Sequence, residues 1–266
     1  MTTTAWIDAH CHLADPRWQG DLAAHLERAR EKGVGKWIQG GVDPEDWERQ
    51  KALRQKLGNA IITCFGLHPW WVASATEAQI QAGLDRLEKN SSGADAWGEL
   101  GLDFSPKRDT SRKNQISTFE SQLAIARRDP KPLVLHIVGA HEDAVRILKK
   151  QGPFEQRGLV HAFSASKELA NQYIDLGFLI SIGGAATKPE REKLQETLRW
   201  IPEEHLVVET DAPDQKPAGI QEALNEPVNL LKIASAIAAI RGEDGTDLLT
   251  RSSQTLTALF ENGPRP

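Results

Sequence analysis

In the stretch AWIDAHCHLAD, Asp8, His10 and His12 occupy alternate positions, with small or apolar residues between them. Alternation of that kind puts side chains on one face of a strand, so a carboxylate and two imidazoles are expected to point the same way. The same residue types recur near the ends of later apolar runs. They are His68 in CFGLHPWW, Glu99 in AWGELGLDF with Asp103 beyond it, His136 in PLVLHIV, His161 in GLVHAFS and Asp211 in LVVETDAP. Imidazole nitrogen and carboxylate oxygen are borderline-to-hard donors, suited to Zn²⁺, Mn²⁺ or, where oxygen dominates, Mg²⁺. Six of them (His10, His12, Glu99, His136, His161 and Asp211) exceed what one tetrahedral ion takes. They suit two divalent ions roughly 3.5–4 Å apart and bridged by a carboxylate, with Glu99, from the middle strand of the set, as the natural bridge. Each residue alone has a plainer use: a histidine at a strand end packs or meets solvent, and Glu99 or Asp211 caps a turn. It is their joint placement that points to metal.

The elements that must carry these residues are legible as short apolar runs alternating with amphipathic ones. The runs read as strands over 6–9, 35–39, 61–66, 94–98, 133–137, 159–163, 178–182 and 206–209; several are apolar almost throughout, as parallel strands covered on both faces are. Leu22, Leu26 and Ala29 mark a helix ending at Gly33, and Ile116, Phe119, Leu123 and Ala126 another. Further helices are expected over 140–151, 167–176, 189–200, 228–241 and 247–260. A strand-then-helix order repeated eight times predicts a single-domain (β/α)₈ TIM barrel over residues 1–266. In that fold the C-terminal ends of the strands form one rim, and five of the eight histidines fall there; His25, His141 and His205 lie in or beside helices.

In their order along the chain, DAHCH, GLHP, GELGLDF, LHIV, HAFS and ETDAP resemble the TatD-like metal-dependent hydrolases, which are similar in turn to the amidohydrolase superfamily. The resemblance runs from Asp8 to about Pro227. It implies His10, His12, Glu99 and Asp211 around one metal and Glu99, His136 and His161 around the other. It also implies a hydrolase that often acts as a DNase, removing nucleotides from DNA ends. Two positions depart from the family pattern: Val138 and Leu224 stand where arginines are common, and both would be phosphate contacts. Lys188 and Arg191 are read as starting a solvated helix rather than replacing them. Asn225, Glu226 and Pro227 follow the pattern and are expected to shape the loop over the site.

Two cations would bring a bound water towards neutral pKa, and Asp211 would orient that water and take its proton. His68 is a candidate to hold a phosphate oxygen or protonate the leaving group, or else a stacking residue before Pro69. Asp103 is expected to steady a ligand histidine from behind. Cys11, between two inward histidines, is expected to turn away into packing, and Cys64 to be core. Trp70 and Trp71 are expected at the rim, where they would stack a base or simply pack. Lys131 precedes its strand at the wrong end to bridge metals.

The charge balance, 32 basic against 37 acidic residues, is unlike a surface that grips nucleic acid through many phosphates, though an acidic pocket neutralised by metal is compatible with it. Two cysteines form no disulfide framework. The opening MTTTAWIDAH has no basic and apolar leader pattern, and no run of eighteen apolar residues occurs. A soluble, cytoplasmic protein with no membrane contact and no obligate protein partner is therefore expected. Two enzymatic readings follow: a metal-dependent deoxyribonuclease or phosphodiesterase acting on DNA ends, or an amidohydrolase-type enzyme on a small ester, lactone or amide. A barrel that only binds a partner fits less well with a full donor set.

Overall fold

The computed structural model describes residues 5–18, 20–108 and 111–261; the first four residues of the opening stretch lie outside these. The strands are β1 (Trp6–Cys11), β2 (Val34–Gln39), β3 (Ile61–Ile62), β4 (Cys64–Phe65), β5 (Ala96–Asp103), β6 (Leu133–Val138), β7 (Gly158–Val160), β8 (Leu179–Ile182) and β9 (Leu206–Val208). Every pairing is parallel, in the orders β1-β2-β3 and β4-β5-β6-β7-β8-β9. The third expected strand is thus interrupted at Thr63 into β3 and β4. Past β9 the chain returns to β1 through Asp211 N donating to His10 O at 2.9 Å and His12 N donating to Ala212 O at 2.7 Å. The result is a TIM-barrel-like α/β fold.

Around the strands lie α1 (Leu22–Glu31), α2 (Pro44–Leu57), α3 (Pro69–Ser74), α4 (Glu77–Lys89), α5 (Arg112–Arg128), α6 (His141–Gln151), α7 (Lys167–Asp175), α8 (Glu192–Trp200), α9 (Leu230–Arg241) and α10 (Gly245–Glu261). Three of these, α2, α3 and α4, fall where the apolar pattern announces no element. In α2 the buried face includes the polar Asp46 and Gln50 beside Trp47, so its periodicity is hidden. For α4 the signal lay in the capping box Thr76–Gln79, which satisfies two backbone N–H groups at the start of the helix.

The core has two layers. Inside the barrel pack Ile7, Ala9, Ile38, Cys64, Ala96, Val134, Leu159, Leu179 and Val207, and Leu256 of α10 joins them from the N-terminal end. Outside, the strands meet the helices in a larger cluster that includes Cys11, Trp37, Phe65, Leu135 and Ile180. Helix α10 closes that end by accepting from the N–H of Ile7 at Ser253 Oγ (2.9 Å) and from that of Val208 at Ser252 Oγ (3.1 Å). Its polar face thus meets donors that burial would otherwise orphan. Two residues beyond an inward-facing residue the chain faces inward again. The step from Ile38, Cys64, Val134, Leu159 and Val207 leads to Gly40, Gly66, His136, His161 and Glu209. Small residues on one side of the ring and donors on the other form the next layer up, at the C-terminal mouth.

Candidate metal centre

Strand β1 does not keep the strict alternation expected of it. Ala9 belongs to the inner cluster and Cys11, two residues on, to the outer one, and the ladder with β2 is irregular between Asp8 and Cys11. Asp8 is therefore not among the donors: its carboxylate accepts from Thr210 N (2.9 Å) and Thr210 Oγ1 (2.5 Å). It anchors the segment that carries Asp211. His10 and His12 are brought together, their Nε2 atoms 3.3 Å apart. Cys11 is buried, with Sγ against the Gln39 side chain.

Glu99 does not close its strand. The buried run continues to Asp103, so Glu99 is the fourth residue of β5, beside a register shift between Gly98 and Leu100. It is fully buried, and its two oxygens face two donor sets. On one side His10 Nε2 lies 3.5 Å and His12 Nε2 3.3 Å from Oε1, and each of these nitrogens is 3.5 Å from Asp211 Oδ1. Four donors held at 2.0–2.1 Å from a common centre would stand about 3.3–3.4 Å apart at tetrahedral angles; the observed spacings match. On the other side, Oε2 is 2.6 Å from His161 Nε2, 3.3 Å from His136 Nδ1 and 3.5 Å from His68 Nε2. Neither Glu99 oxygen nor Asp211 Oδ1 has a well-aligned hydrogen bond, although such buried oxygens rarely go without one. The triples His10–His12–Glu99, His10–His161–Asp211 and His68–Glu99–His136 each gather their donor atoms within 4.8 Å.

Gly40 supports the same fit. A Cβ there would stand 2.4 Å from Glu99 Oε1, 2.5 Å from His12 Cε1 and 2.7 Å from His10 Cε1, so only glycine leaves the hollow between them open. Orphaned oxygens, tetrahedral spacing and that cradle together fit a divalent cation on the Oε1 side, and the imidazoles around Oε2 can hold another.

The electrostatics follow from burying carboxylates among imidazoles. Burial works to raise the pKa of Glu99, but the facing histidines outweigh it and hold the group well below the ordinary range. Asp211 is brought to about 2 by the same balance, with His12 the strongest of its partners. Burial also opposes the charged form of His12, yet Glu99 and Asp211 lift it to about 10; His136 is lifted to about 9 by Asp103 and Glu99. His10 and His68 are pushed down to about 4, chiefly by burial.

His136 is oriented from behind. Its Nε2 is 3.4 Å from Asp103 Oδ2, which also takes the indole N–H of Trp70, while Ser105 N donates to Oδ1 at 2.9 Å. Asp103 thus stands where the sequence pattern puts a steadying carboxylate. His68 caps α3: its Nδ1 accepts from Trp70 N at 3.0 Å. A neutral imidazole has one N–H and one acceptor nitrogen, so the proton sits on Nε2 and His68 presents a donor to the site. Trp70 is 49 % exposed at the mouth, whereas Trp71 takes the packing alternative and sits against the core, near Gly83. Lys131 lies away from the site, on Ser91 O and Asp129.

Two residues escape a reading by strand ends alone. Glu209 accepts from Ala162 N at 2.7 Å and from Ser181 Oγ at 2.5 Å, and lies 3.9 Å from His161 Nδ1; the clue was a charge inside an apolar run. Gln215 Nε2 donates to Asp211 Oδ2 at 2.8 Å. Asp211 itself has φ +56, a costly backbone state for a non-glycine residue and common at functional sites.

The cleft above these donors has a volume of about 510 Å³. One lip is tied shut by Arg17, whose guanidinium bonds Asp15 (3.0 Å) and Asp214 (2.6 and 2.9 Å). Val138 is exposed on the rim, and Leu224 packs partly buried against the core. Arg191, expected only to begin a solvated helix, lines the cleft. Asn225 donates to Thr210 O at 2.8 Å and so braces the Asp211 segment; Glu226 pairs with Arg28 (2.8 Å) and His25 (3.1 Å).

The chain is similar to known proteins over most of its length. The chain is 30 % identical over 255 residues to the metal-dependent hydrolase YjjV of Escherichia coli K12, covering 96 % of this chain and 97 % of that one. The crystal structure of YjjV superposes with a TM-score of 0.87 at 29 % identity, over 96 % and 98 % of the two chains. The human deoxyribonuclease TATDN3 is 26 % identical over 263 residues, 96 % of this chain and 94 % of that one. Residues 7–261 match the family described as TatD related DNase, and with a buried His/Glu/Asp cluster able to hold metal at the mouth of a TIM-barrel-like fold, the chain belongs to that family of metal-dependent hydrolases.

Proposed function

We propose that this protein is a phosphodiesterase that removes nucleotides from DNA ends, with His10, His12, Glu99 and Asp211 holding one divalent cation and Glu99, His136 and His161 a second. The observation that carries the reading is the single buried carboxylate whose two oxygens each face a separate set of imidazoles, with Asp211 at one edge. Four imidazoles among the six donors favour Zn²⁺ or Mn²⁺ over Mg²⁺. Bound cations supply the charge that makes a water acidic enough to attack at neutral pH and that polarises a phosphoryl oxygen. Asp211, ionised and steadied by Gln215, orients the attacking water and receives its proton. His68 donates its Nε2–H to an oxygen of the phosphate, a role its Nδ1 contact to Trp70 N enforces. Asp103 fixes the ring plane of His136. The deoxyribonuclease name of the human relative supports the choice of substrate.

The test is cleavage of end-labelled single- and double-stranded DNA by protein loaded with Zn²⁺, Mn²⁺ or Mg²⁺. Shortening from an end is expected, and Asp211→Asn should abolish it; well-metallated protein that leaves every oligonucleotide intact refutes the proposal. The apolar Val138 on the rim, in place of a cation, favours a second reading, hydrolysis of a small ester, lactone or amide. Turnover of such carbonyl substrates above that of any phosphodiester would select it.

A further inference from the structure

The metal cleft is not the end of the concave surface at this rim. A second cavity of about 840 Å³ adjoins it between the first turn of α7 and the length of α8, and Ser164 and Arg191 line both. Arg191 therefore stands on the ridge where one cavity opens into the other. Among the described residues its guanidinium has no ion pair, unlike Arg17 on the opposite lip, which two aspartates occupy. At the far end of the second cavity lies Trp200, 41 % exposed. Between the two, nine residues of helix rise about 13 Å at 1.5 Å each, room for a short run of stacked bases at about 3.4 Å per step.

We infer that this second cavity is the binding track for the strand next to the reacting end. Arg191 would hold the first phosphate beyond the scissile one, and Trp200 would stack a base further along. The inference rests on the phosphodiesterase reading and adds the site that makes the substrate a polymer rather than a lone nucleotide. The remaining charges of the cavity do not attract a backbone by themselves: Lys167 and Lys193 stand among Glu168, Glu190, Glu192 and Glu196. Recognition then depends on one guanidinium and one indole rather than on a basic field, in keeping with the acidic balance of the chain. A planar guanidinium grips a phosphate through paired N–H donors, and an aromatic face takes any base.

The experiment measures fluorescence anisotropy of tetrathymidylate, labelled at either end, with wild-type protein held in chelator so that no linkage is cut. A second probe is the same oligonucleotide carrying a neutral methylphosphonate at the linkage after the terminal one. Neutralising that linkage should weaken binding about tenfold, and should cost little once Arg191→Ala is added. The slope of log affinity on log salt should fall by about 0.7 in Arg191→Ala, the share of one single-strand phosphate contact. Trp200→Ala should weaken the tetramer more than the dimer. Equal effects of the methylphosphonate with and without Arg191, or no binding of the tetramer, overturn the inference. Cleavage by the metal-loaded wild type is followed separately: its absence refutes the phosphodiesterase reading, while cleavage with no Arg191 coupling refutes the binding track alone.

Discussion

Gly40→Ala adds one methyl group at the point where the structure leaves least room. The new Cβ would lie 2.4 Å from Glu99 Oε1, and contact requires at least 3.0 Å. Glu99 and His10 are fully buried, so neither can swing into solvent. The carboxylate oxygen must move by roughly 0.6 Å or more, about three times the ±0.2 Å within which metal-ligand distances hold. His12 and His10 are crowded by the same atom, so three of the four donors facing the Oε1 side are displaced together. Mutations one layer behind a ligand already cost 10–100-fold in metal affinity; a displaced ligand set should cost at least about 100-fold, or about 2.7 kcal/mol. Overpacking adds about 1–3 kcal/mol of lost fold stability. The donors around Glu99 Oε2 are further from the added atom, so with the two ions proposed above the stoichiometry should fall towards one. Atomic emission after dialysis gives the count, competition with a chelating dye gives the affinity, and thermal unfolding gives the stability cost. A Gly40→Ala protein that keeps the wild-type metal content, affinity and turnover would refute the reasoning that this hollow is a cation site.

Asp103→Asn keeps the shape of the side chain but removes the charge behind His136, and should weaken metal uptake or activity by about 10–100-fold, read by the same dye competition; an unchanged affinity would reduce Asp103 to a strand terminator. His141, half-buried beside Tyr173 OH at 3.1 Å, is pushed down to about 4 by desolvation. Because the unfolded chain binds its proton near 6.5 and the folded chain only near 4, stability is lost as pH falls through that window, by up to about 3 kcal/mol. His141→Gln should flatten that part of the pH–stability curve in urea titrations; a curve parallel to wild type would remove His141 as its source.

How much of this was written in the chain itself is clearest at the donors. Alternating strands and helices force parallel strands, parallel strands place all their C-terminal ends at one mouth, and so His10, His12, Glu99, His136, His161 and Asp211 converge whatever the loops do. What linear order leaves open is anything set by contacts between strands. Irregular pairing in β1 sends Asp8 to Thr210 instead of to the donors, and the continuation of β5 puts Glu99 inside its strand, with one oxygen for each set. Gly40 gains its meaning only from three side chains on other strands, and the tautomer of His68 only from the turn it caps. Helix α2 hid because half of its buried face is polar. Arg191 looks like any charged residue at the start of a helix until packing sets it between two cavities. The residue types and their spacing determined the chemistry available; through-space neighbours, which sequence distance does not encode, decided which atom faces which.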